Sequence, residues 1–315
     1  MVASDLAAPW SVAFLPDGSA LVTQRDEATV VQVDSDSPTP RKVGAVPGVD
    51  DTGEGGLMGM AVSPAAPDQV YLYWSTAEDN RIGVADWNGE SLSEPRVIFS
   101  GIPHAAIHDG GRILFGPDGM LYVGTGDAGE GSLAQDAASL GGKILRLTPT
   151  GTVPADNPLP SSPVYSLGHR NVQGLAFDPQ GRLWASEFGA GDVDELNLIR
   201  PGGNYGWPMF EGPADEPGYS DPAASWSPTS IASPSGMAIS AGSAWVAALR
   251  GESLWQVPLN GEVAGEPVRH LAGDLGRLRD VVVAPDGSLW VVTNNTDGRG
   301  SPAADDDRIL RVSLP

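Results

Sequence analysis

The sequence predicts an all-β fold, a six-bladed β-propeller of four-stranded antiparallel blades, and three observations lead there. Short apolar and aromatic runs recur beside Pro-Asp-Gly or a degenerate form of it. Six such copies are visible, at roughly the 50-residue spacing of propeller blades. Glycine and proline number 41 and 28 among 315 residues, which suits many tight connections between short strands.

The first copy is Val12-Ala13-Phe14-Leu15-Pro16-Asp17-Gly18, and the second, Met60-Ala61-Val62-Ser63-Pro64, keeps only the proline. The third, Ile113–Gly119, and the sixth, Val282–Gly287, carry the whole triplet; the fourth, Leu175–Gly181, reads Pro-Gln-Gly, and the fifth, Met237–Gly242, lacks proline. Proline presets φ at the first corner of such a turn and glycine accepts the positive φ that closes it. Another run follows each turn, such as Leu121-Tyr122-Val123-Gly124 or Leu289-Trp290-Val291-Val292, and usually a third, such as Ile144-Leu145-Arg146-Leu147. That order is strand, hairpin turn, strand, connection, strand.

One small sheet cannot bury both its faces, so neighbouring sheets are expected to stack radially and leave short, protected edges. A β-sandwich with similar turns is the alternative. Helix is expected only in a short patch around Leu133 to Leu140. No linker or composition shift divides the chain, so residues 1–315 are read as one propeller domain.

Forty acidic against 18 basic residues give a formal charge of -22, which opposes a phosphate backbone and an anionic membrane surface. Nucleic acid is therefore not an expected partner. No apolar run approaches the roughly 20 residues that span a bilayer, so membrane insertion is not expected either. The absence of cysteine removes disulfides, zinc thiolates, iron-sulfur clusters and thiol nucleophiles together, and leaves the compartment open.

Propeller loops from different blades converge at one mouth, so motifs distant in sequence can share a site. Five loci stand out: Glu54 in Gly53-Glu54-Gly55-Gly56-Leu57, His108, Asp127 in Gly124-Thr125-Gly126-Asp127, Arg170-Asn171, and Arg277-Leu278-Arg279-Asp280. His108 is one of only four histidines, and imidazole exchanges a proton near neutral pH. Arg170 can hold negative charge developing on an acceptor oxygen, which suggests redox or acid-base chemistry; a hydrogen-bonded loop histidine and a structural arginine are the bland reading.

Asp127 could orient His108 by fixing its tautomer, or cap a turn. Arg277 and Arg279, two residues apart, face one side of an extended chain and make a two-pronged site for a polycarboxylate, or else a pair of surface ion pairs. The stretch Glu187-Phe188-Gly189-Ala190-Gly191-Asp192-Val193-Asp194-Glu195 mixes carboxylates with exposed glycine carbonyls, a donor set that favours calcium, although without EF-hand spacing. Asp305-Asp306-Asp307 reads as a solvated run.

No Gly-x-Ser-x-Gly elbow, phosphate-binding Gly-Lys loop or His-Glu-x-x-His helix is present. Gly124-Thr125-Gly126-Asp127-Ala128-Gly129 is like a dinucleotide fingerprint in outline only, since no βαβ unit surrounds it.

The combination of His108-Asp109-Gly110-Gly111-Arg112, Gly141-Gly142-Lys143-Ile144-Leu145-Arg146-Leu147, Gly168-His169-Arg170-Asn171-Val172-Gln173-Gly174, Asp194-Glu195-Leu196-Asn197-Leu198-Ile199 and Gly203-Asn204-Tyr205-Gly206-Trp207-Pro208 resembles the soluble quinoprotein aldose sugar dehydrogenases of the glucose/sorbosone dehydrogenase family. Weaker similarity covers Gly55-Gly56-Leu57-Met58-Gly59 and Arg277-Leu278-Arg279-Asp280-Val281, and the final third is the loosest.

The resemblance implies a six-bladed propeller using pyrroloquinoline quinone (PQQ) and calcium to oxidise the C1 hydroxyl of an aldose sugar to a lactone, with electrons passed to an external acceptor. It implies His108 as general base, Asp127 as its holder, Arg170 beside the quinone oxygen with Asn171 nearby, and Arg277 and Arg279 on the PQQ carboxylates. Backbone carbonyls of Gly189 and Ala190 would hold a calcium ion beside PQQ, and a second calcium would use Glu195 and the Tyr205 region. The family's location implies a periplasmic or secreted protein whose signal would lie outside this sequence.

Two positions depart from the family pattern. Glu54 stands where a glutamine often contacts sugar or cofactor, and a carboxylate there would repel PQQ unless protonated or paired. Arg250 replaces a usual lysine, keeping the charge of that cofactor-binding position but changing its geometry. A calcium-dependent propeller lactonase and a non-catalytic binding propeller are the rival readings.

Overall fold

A computed structural model describes residues 1–34 and 37–313. The strands form six antiparallel sheets. The first two are β1 (Pro9–Phe14), β2 (Ala20–Gln24), β3 (Thr29–Asp34), β4 (Ser37–Ala45), and β5 (Leu57–Val62), β6 (Gln69–Ser75), β7 (Asn80–Asp86), β8 (Arg96–Ile102). The third and fourth are β9 (Ile113–Phe115), β10 (Leu121–Gly124), β11 (Lys143–Leu147), β12 (Val164–Leu167), and β13 (Val172–Phe177), β14 (Leu183–Glu187), β15 (Asp194–Ile199), β16 (Ala224–Trp226). The fifth has β17 (Pro234–Ser240), β18 (Ser243–Ala248), β19 (Ser253–Asn260), a short β20 (Val263–Ala264) and β21 (Val268–His270); the sixth has β22 (Leu278–Val283), β23 (Leu289–Thr293) and β24 (Ile309–Val312).

The sixth sheet gains its outer edge from the N-terminus, where Ala3 bridges Ile309 antiparallel and Val2 N–H donates to the Ile309 carbonyl at 2.8 Å. The first strand of each sheet packs on the first strand of the next, and β22 returns to β1, so the ring closes as a six-bladed propeller. Its core is correspondingly divided into six clusters, one between each pair of neighbouring blades. Val2, Ala3 and Leu6 pack with Trp290, Val292 and Ile309 in the cluster that joins the last blade to the first.

The recurring turns join the first two strands of each blade at one end of the ring. In the first, Gly18 has φ 89° and Asp17 Oδ1 accepts from Ser19 N–H and Oγ–H at 3.0 and 2.7 Å. In the last, Gly287 has φ 82° and Asp286 repeats those contacts with Ser288 at 2.9 and 2.6 Å. The triplet is thus a closed turn in which aspartate satisfies the backbone donors that the reversal frees.

The helical patch expected at Leu133–Leu140 is instead one 3-10 turn, Gly131–Ala134. After it the chain turns away: Asp136 Oδ1 takes the Ala138 N–H at 2.9 Å, and the buried Lys143 ammonium takes the carbonyls of Leu133, Ala134 and Gly141 at 2.6, 3.0 and 2.7 Å. The Asp305-Asp306-Asp307 run is likewise not a solvated face. Asp307 is buried, and its oxygens accept from Thr293 Oγ, Asn295 N–H and the N–H and Oγ–H of Thr296.

Candidate active site

The proposed residues lie at the end opposite those turns, where the chain enters each inner strand and where it leaves each second strand. Asn171 and Arg277 stand one residue before β13 and β22; His108 and Glu54 precede β9 and β5 by a few residues; Asp127 and Gly189 follow β10 and β14. Tertiary closure, not sequence proximity, brings them together.

His108 has φ 61°, a left-handed conformation uncommon for a residue with a side chain. Its N–H donates to Glu54 Oε2 at 2.9 Å and its carbonyl accepts from Ala128 N–H at 3.2 Å. The ring Nδ1 pairs with Asp127 Oδ1 at 2.6 Å, while Nε2 makes no hydrogen bond among the described residues and is not enclosed. Asp127 is buried and also accepts from Gly129 N–H and from the Trp207 indole N–H, each at 2.8 Å. Burial opposes its charge, but the hydrogen bond and charge of His108 with these donors outweigh burial and hold its pKa below the usual carboxylate range. Asp127 orients the imidazole as a carboxylate partner, and the turn-cap alternative is satisfied by the same side chain.

Backbone bonds tie this dyad to the next blade. Asp127 N–H donates to the Arg170 carbonyl at 2.8 Å, and Asn171 Oδ1 accepts from Gly110 N–H at 3.0 Å. Arg170 Nη1 donates to the carbonyls of Gly189 and Phe188 at 2.6 and 3.3 Å, and its guanidinium lies 5.3 Å from the Trp207 ring centre. Its own N–H donates to Glu187 Oε1 at 2.7 Å; Glu187 Oε2 pairs with buried His169 Nδ1 at 2.6 Å, and His169 Nε2 with Ser166 Oγ at 2.8 Å. Burial lowers the Arg170 pKa, and nearby Asp127, Glu211, Glu187 and Glu54 partly restore it.

On the opposite wall, Arg277 and Arg279 are both buried and both face Asp297 Oδ2, at 3.2 and 3.8 Å. They are a fork, as the two-residue spacing predicted, and not surface ion pairs. Arg279 also donates to Asn294 Oδ1 and Gln173 Oε1. Burial, and then the charge of Arg25, push its pKa down to about 9.

Glu54 does not stand as a free carboxylate. Its Oε1 pairs with Arg299 at 2.9 Å while Oε2 takes the His108 N–H. Burial opposes its charge, yet the His108 N–H and Arg299 more than offset burial and lower its pKa. The pairing that would relieve repulsion of a PQQ carboxylate is therefore built in. Arg250 lies in the β18–β19 turn at the same end, exposed and without a hydrogen bond or ion pair among the described residues.

The calcium candidates have oxygen donors of different readiness. The N–H groups of Ala190, Gly191, Asp192 and Val193 converge on Glu211 Oε1 at 2.8–3.0 Å. The Gly189 carbonyl already accepts from Arg170. Glu195 accepts from Gly212 N–H and Asn197 Nδ2, and Tyr205 stacks on His169 with its hydroxyl between Leu198 O and Arg200 N. Among the described residues no three acidic or histidine side chains are grouped to hold a metal.

The family model for glucose/sorbosone dehydrogenases matches residues 6–310. The chain belongs to that family. It is 53% identical to the PQQ-bound aldose sugar dehydrogenase of Streptomyces coelicolor, with TM-score 0.95 over 99% of this chain and 96% of that one. It is 29% identical to aldose sugar dehydrogenase YliI of Escherichia coli over 92% of this chain and 88% of the relative. With quinoprotein glucose dehydrogenase B of Acinetobacter calcoaceticus it shares 33% identity over 70% of this chain, spanning about half (54%) of that relative.

Within this family site, sequence reasoning missed Arg25, Arg112, Trp207, Asp297 and Arg299. Register could have found one of them. Arg112 stands immediately before β9, as Asn171 and Arg277 stand before their inner strands. Its guanidinium lies 4.3 Å from the Trp10 ring centre, pairs with Asp280 at 2.9 Å and forms part of the central floor. Beyond that pair, toward the turn end, runs an axial cavity of about 440 Å³ lined mainly by inner-strand apolar residues, and none of the predicted site residues borders it.

Proposed function

We propose that this protein is a PQQ-dependent aldose sugar dehydrogenase that oxidises the C1 hydroxyl of an aldose to a lactone and passes the electrons to an external acceptor. One observation carries the reading. At the mouth that holds His108 with its open Nε2, three buried donors lack any acceptor among the described residues: Arg170 Nε, Asn171 Nδ2 and Arg277 Nε. Buried donors are nearly always satisfied, so this set fits an acceptor-rich polyanion such as PQQ. Membership of the glucose/sorbosone dehydrogenase family supports the same reading.

When bound, PQQ supplies the two-electron acceptor for hydride leaving the sugar C1. His108 Nε2 takes the proton of the anomeric hydroxyl. Asp127 keeps the proton on Nδ1 and stabilises the imidazolium that forms, which secures the tautomer the base needs. Arg170 and Asn171 would offer the cofactor a positive charge and a donor, and Arg277 and Arg279 would pair with its carboxylates. Arg250 adds an unpaired cation at the rim, and Glu54, paired with Arg299, holds the base by its N–H beside the cofactor position it would help to line.

Calcium is the finer part of the proposal. The Gly189 and Ala190 carbonyls would hold an ion beside PQQ, with Arg170 Nη1 releasing Gly189 O to the cation; the ion would act as a Lewis acid. Glu195 with the Tyr205 region would hold a second ion, and the buried, unpartnered Asn197 Oδ1 beside Glu195 is an oxygen such an ion could use. We take residues 1–315 as one propeller domain working in the periplasm or outside the cell. No helix among the described residues is long and apolar enough to cross a membrane.

The test is reconstitution with PQQ and calcium, an absorption spectrum to verify binding, then addition of a panel of aldoses. Sugar should reduce the cofactor and a coupled dye. His108→Gln should lower kcat by about 10²- to 10⁴-fold with PQQ still bound. Verified PQQ binding with no response to any aldose would sink the reading.

A further inference from the structure

We infer that Trp207 is a positioning residue that couples the two halves of this site, the His108–Asp127 base and the Arg170 charge; the inference rests on the dehydrogenase reading above. Its main chain is fixed from two directions. The Trp207 N–H donates to the Gly168 carbonyl at 3.0 Å, within the segment that leads to Arg170. Its carbonyl accepts from Gln135 Nε2 at 2.7 Å, beside the 3-10 turn that follows Asp127.

The side chain then reaches both functional groups. The indole Nε1–H donates to Asp127 Oδ2 at 2.8 Å, leaving Oδ1 for His108 Nδ1 at 2.6 Å. The ring presents its face to the Arg170 guanidinium, 5.3 Å from ring centre to Cζ. A Cβ on Gly131 would meet Pro208 Cβ at 3.1 Å and Trp207 Nε1 at 3.3 Å, so a glycine there lets the loop close over the indole edge. Among the hydrogen bonds and ring contacts on these groups, this indole is the side chain shared by Asp127 and Arg170.

The coupling has a chemical consequence. A neutral donor on Asp127 Oδ2 draws carboxylate charge away from the imidazole, so the positive charge His108 gains on taking a proton is stabilised less than it would be by a carboxylate without that donor. The charged groups facing His108 are Asp127 on its ring, Glu54 on its N–H with Arg299 behind it, and Arg170 across from Asp127. Of these, Trp207 contacts Asp127 and Arg170. The same ring lies against the guanidinium whose Nη1 is bound to Gly189 O.

Trp207→Phe separates the two effects, since it keeps a ring under Arg170 and deletes the donor to Asp127. In PQQ- and calcium-loaded enzyme we expect the acid limb of kcat/KM to move to higher pH by about half a unit. We also expect kcat to fall about tenfold, with PQQ Kd and aldose KM within about twofold of wild type. Trp207→Ala should add a loss of PQQ affinity of about tenfold, because Arg170 loses its platform. If that variant does not fold, Trp207→Phe still decides the matter. A Trp207→Phe enzyme with the wild-type pH profile, or one that loses cofactor affinity and kcat together without a pH shift, overturns the proposal. A wild-type protein that binds PQQ but is never reduced by sugar overturns the dehydrogenase reading instead, and is seen before any variant is made.

Discussion

At the scale of single residues, the backbone of His108 is the place where the site stores strain. A φ of 61° costs a non-glycine residue on the order of 1–2 kcal/mol, so the conformation persists only if neighbours hold it. Glu54 does so through the His108 N–H, and Arg299 keeps Glu54 charged. The Glu54 pKa is lowered on folding, so its stabilising contribution is present above the ordinary glutamate value of about 4.3 and is lost as pH falls through the folded value. Wild type should therefore be more stable than Glu54→Gln at pH 7, and the difference in Tm should close towards pH 3. A gap that stays constant across that range would show that the charge is irrelevant. His108, Asp127 and Arg170 were legible in the sequence because histidine is rare here and each stands in a distinctive motif. Trp207 was not, because its partner Asp127 is 80 positions away.

At the scale of elements, the connection between β10 and β11 has to carry Asp127 to the mouth and return without a regular helix. Lys143, the first residue of β11, makes this possible by gathering three carbonyls on one buried ammonium. Burial pushes its pKa down to about 8, and the charge of nearby Asp136 partly opposes that. Lys143→Met keeps most of the volume but deletes three hydrogen bonds and leaves the buried Gly141 carbonyl without a donor among the described residues, so stability should fall by roughly 2–4 kcal/mol. Calorimetry should find Tm lower by about 5 °C. An unchanged Tm would mean that water replaces the ammonium. The turn triplets were readable because Pro-Asp-Gly dictates its own backbone. The Leu133–Leu140 segment was misread because the Asp136 bond to Ala138 N–H and the reach of Lys143 back to the turn's carbonyls favour a turn over a continuing helix.

At the scale of the whole molecule, a ring must close, and here residues at the two ends of the described chain close it. Leu6 N–H donates to Asp307 O and Asp307 N–H to Leu6 O, each at 3.0 Å, beside the Ala3–Ile309 bridge. Asp307 in turn fixes Thr293, Asn295 and Thr296, which precede Asp297 and its pair with Arg277. Removing residues 1–6 deletes the burial of Val2 and Leu6, about 1.5–3 kcal/mol each, and several backbone bonds worth about 1 kcal/mol each. The truncated protein should lose about 10 °C in Tm and bind PQQ more weakly, measured by calorimetry and cofactor titration. A Tm within about 2 °C of wild type would show that blade contacts alone close the ring. The net charge of -22 also gains meaning at this scale, because the mouth gathers Arg25, Arg170, Arg277 and Arg279 against that background.

The sequence by itself determined the number of blades and the turn chemistry, and it singled out His108, Asp127 and the Arg277/Arg279 pair that the proposed function uses, because each is written in local residue types or in their repetition. Only the tertiary structure decided that Glu54 is paired with Arg299, that Asp307 is buried, and that Trp207 joins Asp127 to Arg170. Those contacts run between loops of different blades, and their distances depend on how the ring closes rather than on any pattern along the chain.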